Sequence, residues 1–247
     1  MNLLLLADGH VGCQVAEWLI AEHRADIALI ATTSDNAISA LAKDAGVETV
    51  VFVSDQQLVQ HLSDSGRSID VGLLAWWPRL IREPLLGVAK HGLINTHPSL
   101  LPYNRGKHYN FWALVEEAPF GVSLHFVEAG VDNGDIVAQR ALNSSWEDTG
   151  ESMYNKAQTA MVALVRETYP VIQSLDIPRS PQATDVGSFH HSRELDAASV
   201  FDLNREYTAR HLLNVLRART FTGHPAAWFA DGNTEYEVRV TIQRKTR

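Results

Sequence analysis

Leu3-Leu4-Leu5-Leu6-Ala7, then Asp8-Gly9-His10-Val11-Gly12, then Val15, Trp18, Leu19 and Ile20 at helical spacing, decide the fold class. A short run that is apolar at every position suits a strand buried on both faces, the condition inside a parallel sheet. The glycine-containing stretch reads as a turn into an amphipathic helix. The same unit recurs. Strands are expected at 27–31, 47–53, 71–76 and 91–95, alternating with helices at 38–45 and 55–62. This alternation predicts an α/β fold with a doubly wound, mostly parallel, Rossmann-like sheet.

Further along, 109–116 reads as a helix, 121–127 and 135–142 as a strand pair, and 152–175 as a long helix. Pro178 and Pro181 mark a connection. The chain is therefore expected to divide into a catalytic domain at 1–177 and a small C-terminal region at 178–247. That appendage should hold a helix at 207–217 and a β-hairpin, with strands at 228–230 and 236–242 turned at Asp231-Gly232-Asn233.

The bulk properties exclude several function classes. The chain has 247 residues and a formal net charge of -8. Binding nucleic acid by phosphate neutralisation needs clustered Lys and Arg, and an anionic membrane surface needs the same, so neither partner is expected. Cys13 is the single cysteine, which leaves no disulfide framework within one chain. No apolar run approaches the roughly 18 residues of a membrane span, and the N-terminus lacks a basic segment of the signal-peptide kind, so a cytoplasmic location is expected. His190 and His191 are adjacent and His108 stands alone, so no metal is expected. Gly9-x-x-Gly12 is an incomplete dinucleotide fingerprint, because His10 and Val11 occupy its turn.

The chemistry concentrates where the fifth strand ends, at Asn95-Thr96-His97-Pro98-Ser99-Leu100-Leu101-Pro102, and downstream at Val131-Asp132-Asn133-Gly134-Asp135. Ligands of open α/β sheets gather beyond the carboxyl ends of strands. Acyl transfer to an amine needs a donor to the developing oxyanion, a proton acceptor, and a group that orients the acceptor. Asn95, His97 and Asp132 can fill these roles in that order, His97 because imidazole titrates near neutral pH. His125 lies on a neighbouring strand, as either a packed or a supporting histidine.

These motifs, with Arg105-Gly106, Gly121-Val122-Ser123-x-His125 and Asp132-x-Gly134-x-Ile136, resemble the formyltetrahydrofolate-dependent formyltransferases over roughly residues 1–175. The resemblance implies that Asn95, His97 and Asp132 are the catalytic triad and that 10-formyltetrahydrofolate is the donor, with no metal. It places the pterin against the loop after the fourth strand, with Trp77, Arg79 and Ile81, and against Ala129, Gly130 and Val131.

The stretch from Tyr103 to Trp112, and the tail with Phe189-His190, Glu194-Leu195-Asp196 and Arg219-Thr220-Phe221, look like the nucleotide-sugar N-formyltransferases of surface-polysaccharide pathways. The implied acceptor is the amine of a nucleotide-linked amino-dideoxy sugar, for example a dTDP-linked 3-amino or 4-amino dideoxyhexose. Arg105 and Lys107 would meet its pyrophosphate and Phe221 its base, with His10, Asn104 and Tyr109 as further contacts. Another small amine is an alternative acceptor. A methionyl-tRNA formyltransferase-like protein is the other alternative; the short C-terminal region and the acidic balance of the chain as a whole count against it. A homodimer through the C-terminal hairpin is expected.

Overall fold

A computed structural model describes residues 1–245. The elements run β1 (Leu3–Ala7), α1 (Gly9–His23), β2 (Ile27–Thr32), α2 (Ala37–Asp44), β3 (Thr49–Val51), α3 (Asp55–Asp64), β4 (Val71–Ala75) and β5 (Leu93–His97). There follow β6 (Arg105–Gly106), α4 (Tyr109–Val115), β7 (Phe120–Phe126), β8 (Ile136–Leu142) and α5 (Gly150–Ser174). The chain continues through β9 (Phe189–His190), α6 (Glu194–Ala197), β10 (Val200–Phe201), α7 (Ala209–Ala218), β11 (Ala227–Asp231) and β12 (Thr234–Val238).

The main sheet has the order β3-β2-β1-β4-β5-β7-β8. The first five of these strands are parallel, and β7 runs antiparallel to β5. The doubly wound, mostly parallel sheet read from the sequence is therefore present. Strand order reverses beside β1, so the crevice between the ends of β1 and β4 is a topological switch point. β1 is flanked on both edges and fully buried, which is why its residues do not alternate.

Leu4, Leu6, Leu29, Ala31 and Leu74 share one face of the sheet with Phe52, Leu58, Leu62, Trp77 and Ile81 in a single core cluster. The side chain of Asp8 caps α1, which begins at Gly9, so 8–12 is a cap and first helical turn rather than a free turn. A Cβ on Gly12 would lie 2.8 Å from the Ala75 carbonyl oxygen. Close packing of α1 on β4 thus accounts for this glycine without a dinucleotide.

The chain forms two compact units, each assembled from separate stretches. One comprises Met1–His97, Ser123–Gln139 and Gln158–Gln182; the other Pro98–Val122, Arg140–Ala157 and the chain from Ala183 onward. Within the first, the Tyr169 hydroxyl donates to Asp26 at 3.0 Å and its ring sits edge-on to Trp18 at 5.2 Å, tying α5 to α1.

Within the second, β6 pairs with β9, a contact that no local pattern announces. The appendage is also richer than a helix plus hairpin, since β10 adds a parallel third strand to β11. Three boundaries are shorter than expected. β3 keeps only Thr49–Val51 at the sheet edge, β12 stops at Val238, and Asp231 pairs with Thr234, so the hairpin loop is Gly232-Asn233 alone.

Candidate active site

Antiparallel pairing of β7 on β5 sets His125 opposite Asn95 and Ser123 opposite His97. The loop that leaves β7 then turns back through Asp132, held in the left-handed region at φ +52°. Two features let it turn this tightly. Asp is among the few non-glycine residues that tolerate that region, and Gly134 packs where a Cβ would lie 2.0 Å from the Phe126 carbonyl oxygen.

The side chains converge. His97 Nδ1 lies 3.4 Å from Asp132 Oδ1, and His125 Nε2 lies 3.6 Å from the same oxygen. Asn95 Nδ2 lies 3.2 Å from His125 Nε2. His97 and His125 are buried, at 5% and 2% exposure. Tautomers follow from partners. His125 Nδ1 sits 2.8 Å from the Phe126 carbonyl, which can only accept, so the proton is on Nδ1. In the neutral ring Nε2 is then an acceptor and takes a hydrogen from the Asn95 amide, fixing which way that amide faces. Its sequence position left the role of His125 open; the strand register resolves it as the partner of Asn95.

The loops expected at the folate differ in what their side chains do. Trp77 and Ile81 belong to the core cluster, Trp77 edge-on to Phe52 at 5.2 Å. Arg79 is exposed, with its guanidinium 5.8 Å from the Phe52 ring centre. Ala129, Gly130 and Val131 are exposed in the loop before Asp132. Any contact by Trp77, Ile81, Ala129 or Gly130 to a flat heterocycle is therefore chiefly through backbone groups. The backbone is held for this, since the Trp76 amide donates to Thr96 Oγ1 at 2.8 Å. Trp77 Nε1 is buried without a hydrogen-bond partner. His10 is exposed on the first turn of α1.

The remaining predicted contacts lie in the second unit. Asn104 is 1% exposed, and its amide donates to Glu116 at 3.1 Å and to Ser188 at 3.3 Å. It holds the loop from inside. Arg105 lies on β6, half-buried, and Lys107 is exposed. The Tyr109 ring stacks on Tyr154 at 6.5 Å, and burial raises its phenol well above the usual range. Phe221 packs edge-on to Tyr154 at 5.6 Å and His224 at 4.7 Å.

Two histidines here carry more than the sequence assigned them. His190 stacks on Trp112 at 3.8 Å and faces Glu116 at 2.8 Å and Glu194 at 3.0 Å, securing β9 beneath β6. Burial pushes the His108 imidazole below its ordinary value, and the charges of Arg219 and Lys107 push it the same way. Lys107, His108 and Arg219 thus share a positive field. Among the described residues no cluster of His, Cys, Asp and Glu could hold a metal ion, and no helix is long and apolar enough to cross a membrane.

A family model described as formyl transferase matches residues 14–168, and one described as N-formyltransferase dimerization C-terminal domain matches residues 194–244. The dTDP-4-amino-4,6-dideoxyglucose formyltransferases of Mycobacterium tuberculosis and Mycobacterium bovis are each 31% identical over 152 residues, 61% of this chain. The match spans 64% of the length of those relatives. A solved chain from Mycobacterium tuberculosis superimposes with a TM-score of 0.83 at 24% identity, covering 100% of this chain and 99% of that one. The N-formyltransferase of Helicobacter canadensis, solved with folinic acid and dTDP-3-aminofucose, gives 0.74 at 15% identity, covering 94% of this chain and 85% of that one. At these identities the structural likeness is one of fold.

Proposed function

The chain belongs to the formyl transferase family, and on that premise we propose that it moves a formyl group from 10-formyltetrahydrofolate to the amine of a nucleotide-linked amino-dideoxy sugar. The observation that carries the reading is the convergence of Asn95, His97 and Asp132 at the carboxyl end of β5. The names of the curated relatives favour a dTDP-linked 4-amino sugar.

The folate supplies the formyl carbon. The backbone of 77–81 and 129–131 presents donors and acceptors suited to a pterin, with Arg79 and Val131 beside it, and the buried Trp77 Nε1 is a further donor. Asn95 donates its second N–H to the formyl oxygen as negative charge develops there. His97 works through Nε2, taking the proton that the attacking amine releases and returning one to the departing folate nitrogen. Asp132 holds His97 Nδ1–H and so keeps Nε2 aimed at the reacting nitrogen. His125 locks the Asn95 amide.

Arg105 and Lys107 meet the diphosphate, with the Arg219 charge adding to the positive field that also acts on His108. Tyr109 and Phe221 offer rings to the nucleoside, Asn104 shapes the loop beneath, and His10 is a further contact to the sugar nucleotide. Residues 1–177 form the formyl-transfer domain and 178–247 the C-terminal region. The matched dimerization region supports a homodimer; our reading is that the hairpin forms its interface and that the enzyme works in the cytoplasm.

The test is tetrahydrofolate release measured against a panel of dTDP-, GDP- and UDP-linked amino sugars. Turnover that depends on one sugar and disappears in His97→Ala supports the assignment. Folate binding without turnover on any sugar moves the search to other small amines.

A further inference from the structure

The connection after α5 does more than join two regions. Arg179 lies 3.5 Å over the Phe126 ring, with its guanidinium 3.7 Å from Glu128 and 3.8 Å from Asp135. Ser180 exchanges both backbone hydrogen bonds with Ile136, at 2.8 and 3.0 Å. Gln182 then sends the two hydrogens of one amide nitrogen to two carbonyls, Asp132 at 2.9 Å and Gly134 at 2.8 Å. Three consecutive contacts thus follow the loop that presents Asp132, at its stem, at its exit and at its turn.

We propose that Gln182 is a positioning residue for the catalytic loop. Its amide bridges the two carbonyls that flank Asn133 and so holds Asp132 left-handed with its carboxylate toward His97 and His125. The geometry suits this side chain. A primary amide offers two hydrogens on one nitrogen without a charge; Glu would set oxygens against the carbonyls, and Leu has nothing to donate. The Gln182 oxygen is itself buried without a partner. A buried unpaired acceptor opposes stability, so the residue is better explained by what its nitrogen orients than by what its burial contributes. Gln182 lies between the motifs that end near residue 175 and those of the tail, and the spacing of Pro178 and Pro181 signals only a connection, so no local pattern assigns it a role.

The inference rests on the proposed role of Asp132 as the partner of His97. Gln182→Leu and Gln182→Glu are purified as full chains and compared with wild type. Loss of aim is expected to lower kcat about 10- to 100-fold, the scale of a misplacement near 1 Å. KM for donor and acceptor should stay within about threefold, because neither substrate is touched. The acid limb of the kcat profile should move to lower pH, since a carboxylate that has drifted no longer favours the imidazolium.

A second measurement is independent of turnover. Amide exchange across 129–135 should accelerate while exchange in β1 and β4 stays as in wild type. Wild-type kcat and pH profile in either folded variant overturn the proposal. So does unfolding of both variants, which would make Gln182 a determinant of the fold instead. If wild type itself transfers no formyl group, the function above fails, and the exchange measurement still decides the clamp.

Discussion

His97 and His125 carry the same ring with opposite wiring. His125 gives its Nδ1 proton to a main-chain carbonyl and accepts from Asn95, whereas His97 turns Nδ1 to a carboxylate. Their substitutions should therefore differ in kind. On the proposed roles of these residues, His97→Ala and Asp132→Asn should each lower kcat by about 10²–10⁴, read in a steady-state transfer assay. His125→Ala releases the Asn95 amide without removing a proton carrier. A fall of about tenfold in kcat is expected there, with the pH profile unchanged, which separates orientation from proton transfer.

His108 titrates to a different effect. Its folded pKa lies below its unfolded one, so on acidification the unfolded chain takes up that proton first. The folded state accordingly loses stability as pH falls below about 6.5, the reference imidazole value. His108→Gln should flatten that slope. Unfolding midpoints at about pH 7.5 and about pH 5.5 should lie closer together in the variant than in wild type.

At the scale of elements, the antiparallel β5–β7 pair and the α1–α5 tie bear most of the positioning. Removing the Tyr169 hydroxyl leaves Asp26 with fewer partners while the ring packing stays. Tyr169→Phe should cost about 1–2 kcal/mol, measured by denaturant unfolding with an unchanged slope. Gly134→Ala should be harsher, since the new Cβ would collide with backbone at Phe126, and the expected loss is in kcat as well as in the unfolding midpoint.

The legibility of these elements in sequence followed their locality. The all-leucine β1 and the helical spacing of Val15, Trp18 and Leu19 announce themselves within a few residues. Asn95, His97 and Asp132 were legible because a strand end and a turn are local signals. The β6–β9 pair, the β10 strand and the contact of Gln182 with the Asp132 loop were not, because each depends on partners far along the chain. Trp77 and Ile81 show the converse. Their apolar character said that they would be buried, but not against what; both side chains pack in the cluster with Phe52 and Leu74.

For the whole molecule, the expected association runs through the C-terminal sheet. Tyr236 is 47% exposed and stacks on Phe229 at 5.4 Å, an aromatic pair on the open β12 edge. Unpaired strand edges invite pairing with a second copy. Tyr236→Glu should convert a dimer at micromolar concentration into a monomer by sedimentation velocity, with the circular dichroism of the fold retained. A variant that sediments as wild type removes this edge from the interface.

Both compact units are stitched from distant stretches, and this bears on how the protein is made. The Asn104 amide meets Ser188 across 84 residues of chain. At a synthesis rate of about 5–20 residues per second, that interval lasts roughly 4–17 s on the ribosome. Throughout it, the loop with Arg105 and Lys107 waits for Ser188 and His190, its anchors in the finished protein. The nascent enzyme therefore has a window in which its first strands can already pair while the loop of Arg105 and Lys107 cannot yet be closed. Synonymous codons that slow translation between residues 110 and 190 would lengthen the exposure, and a chaperone would find its client there.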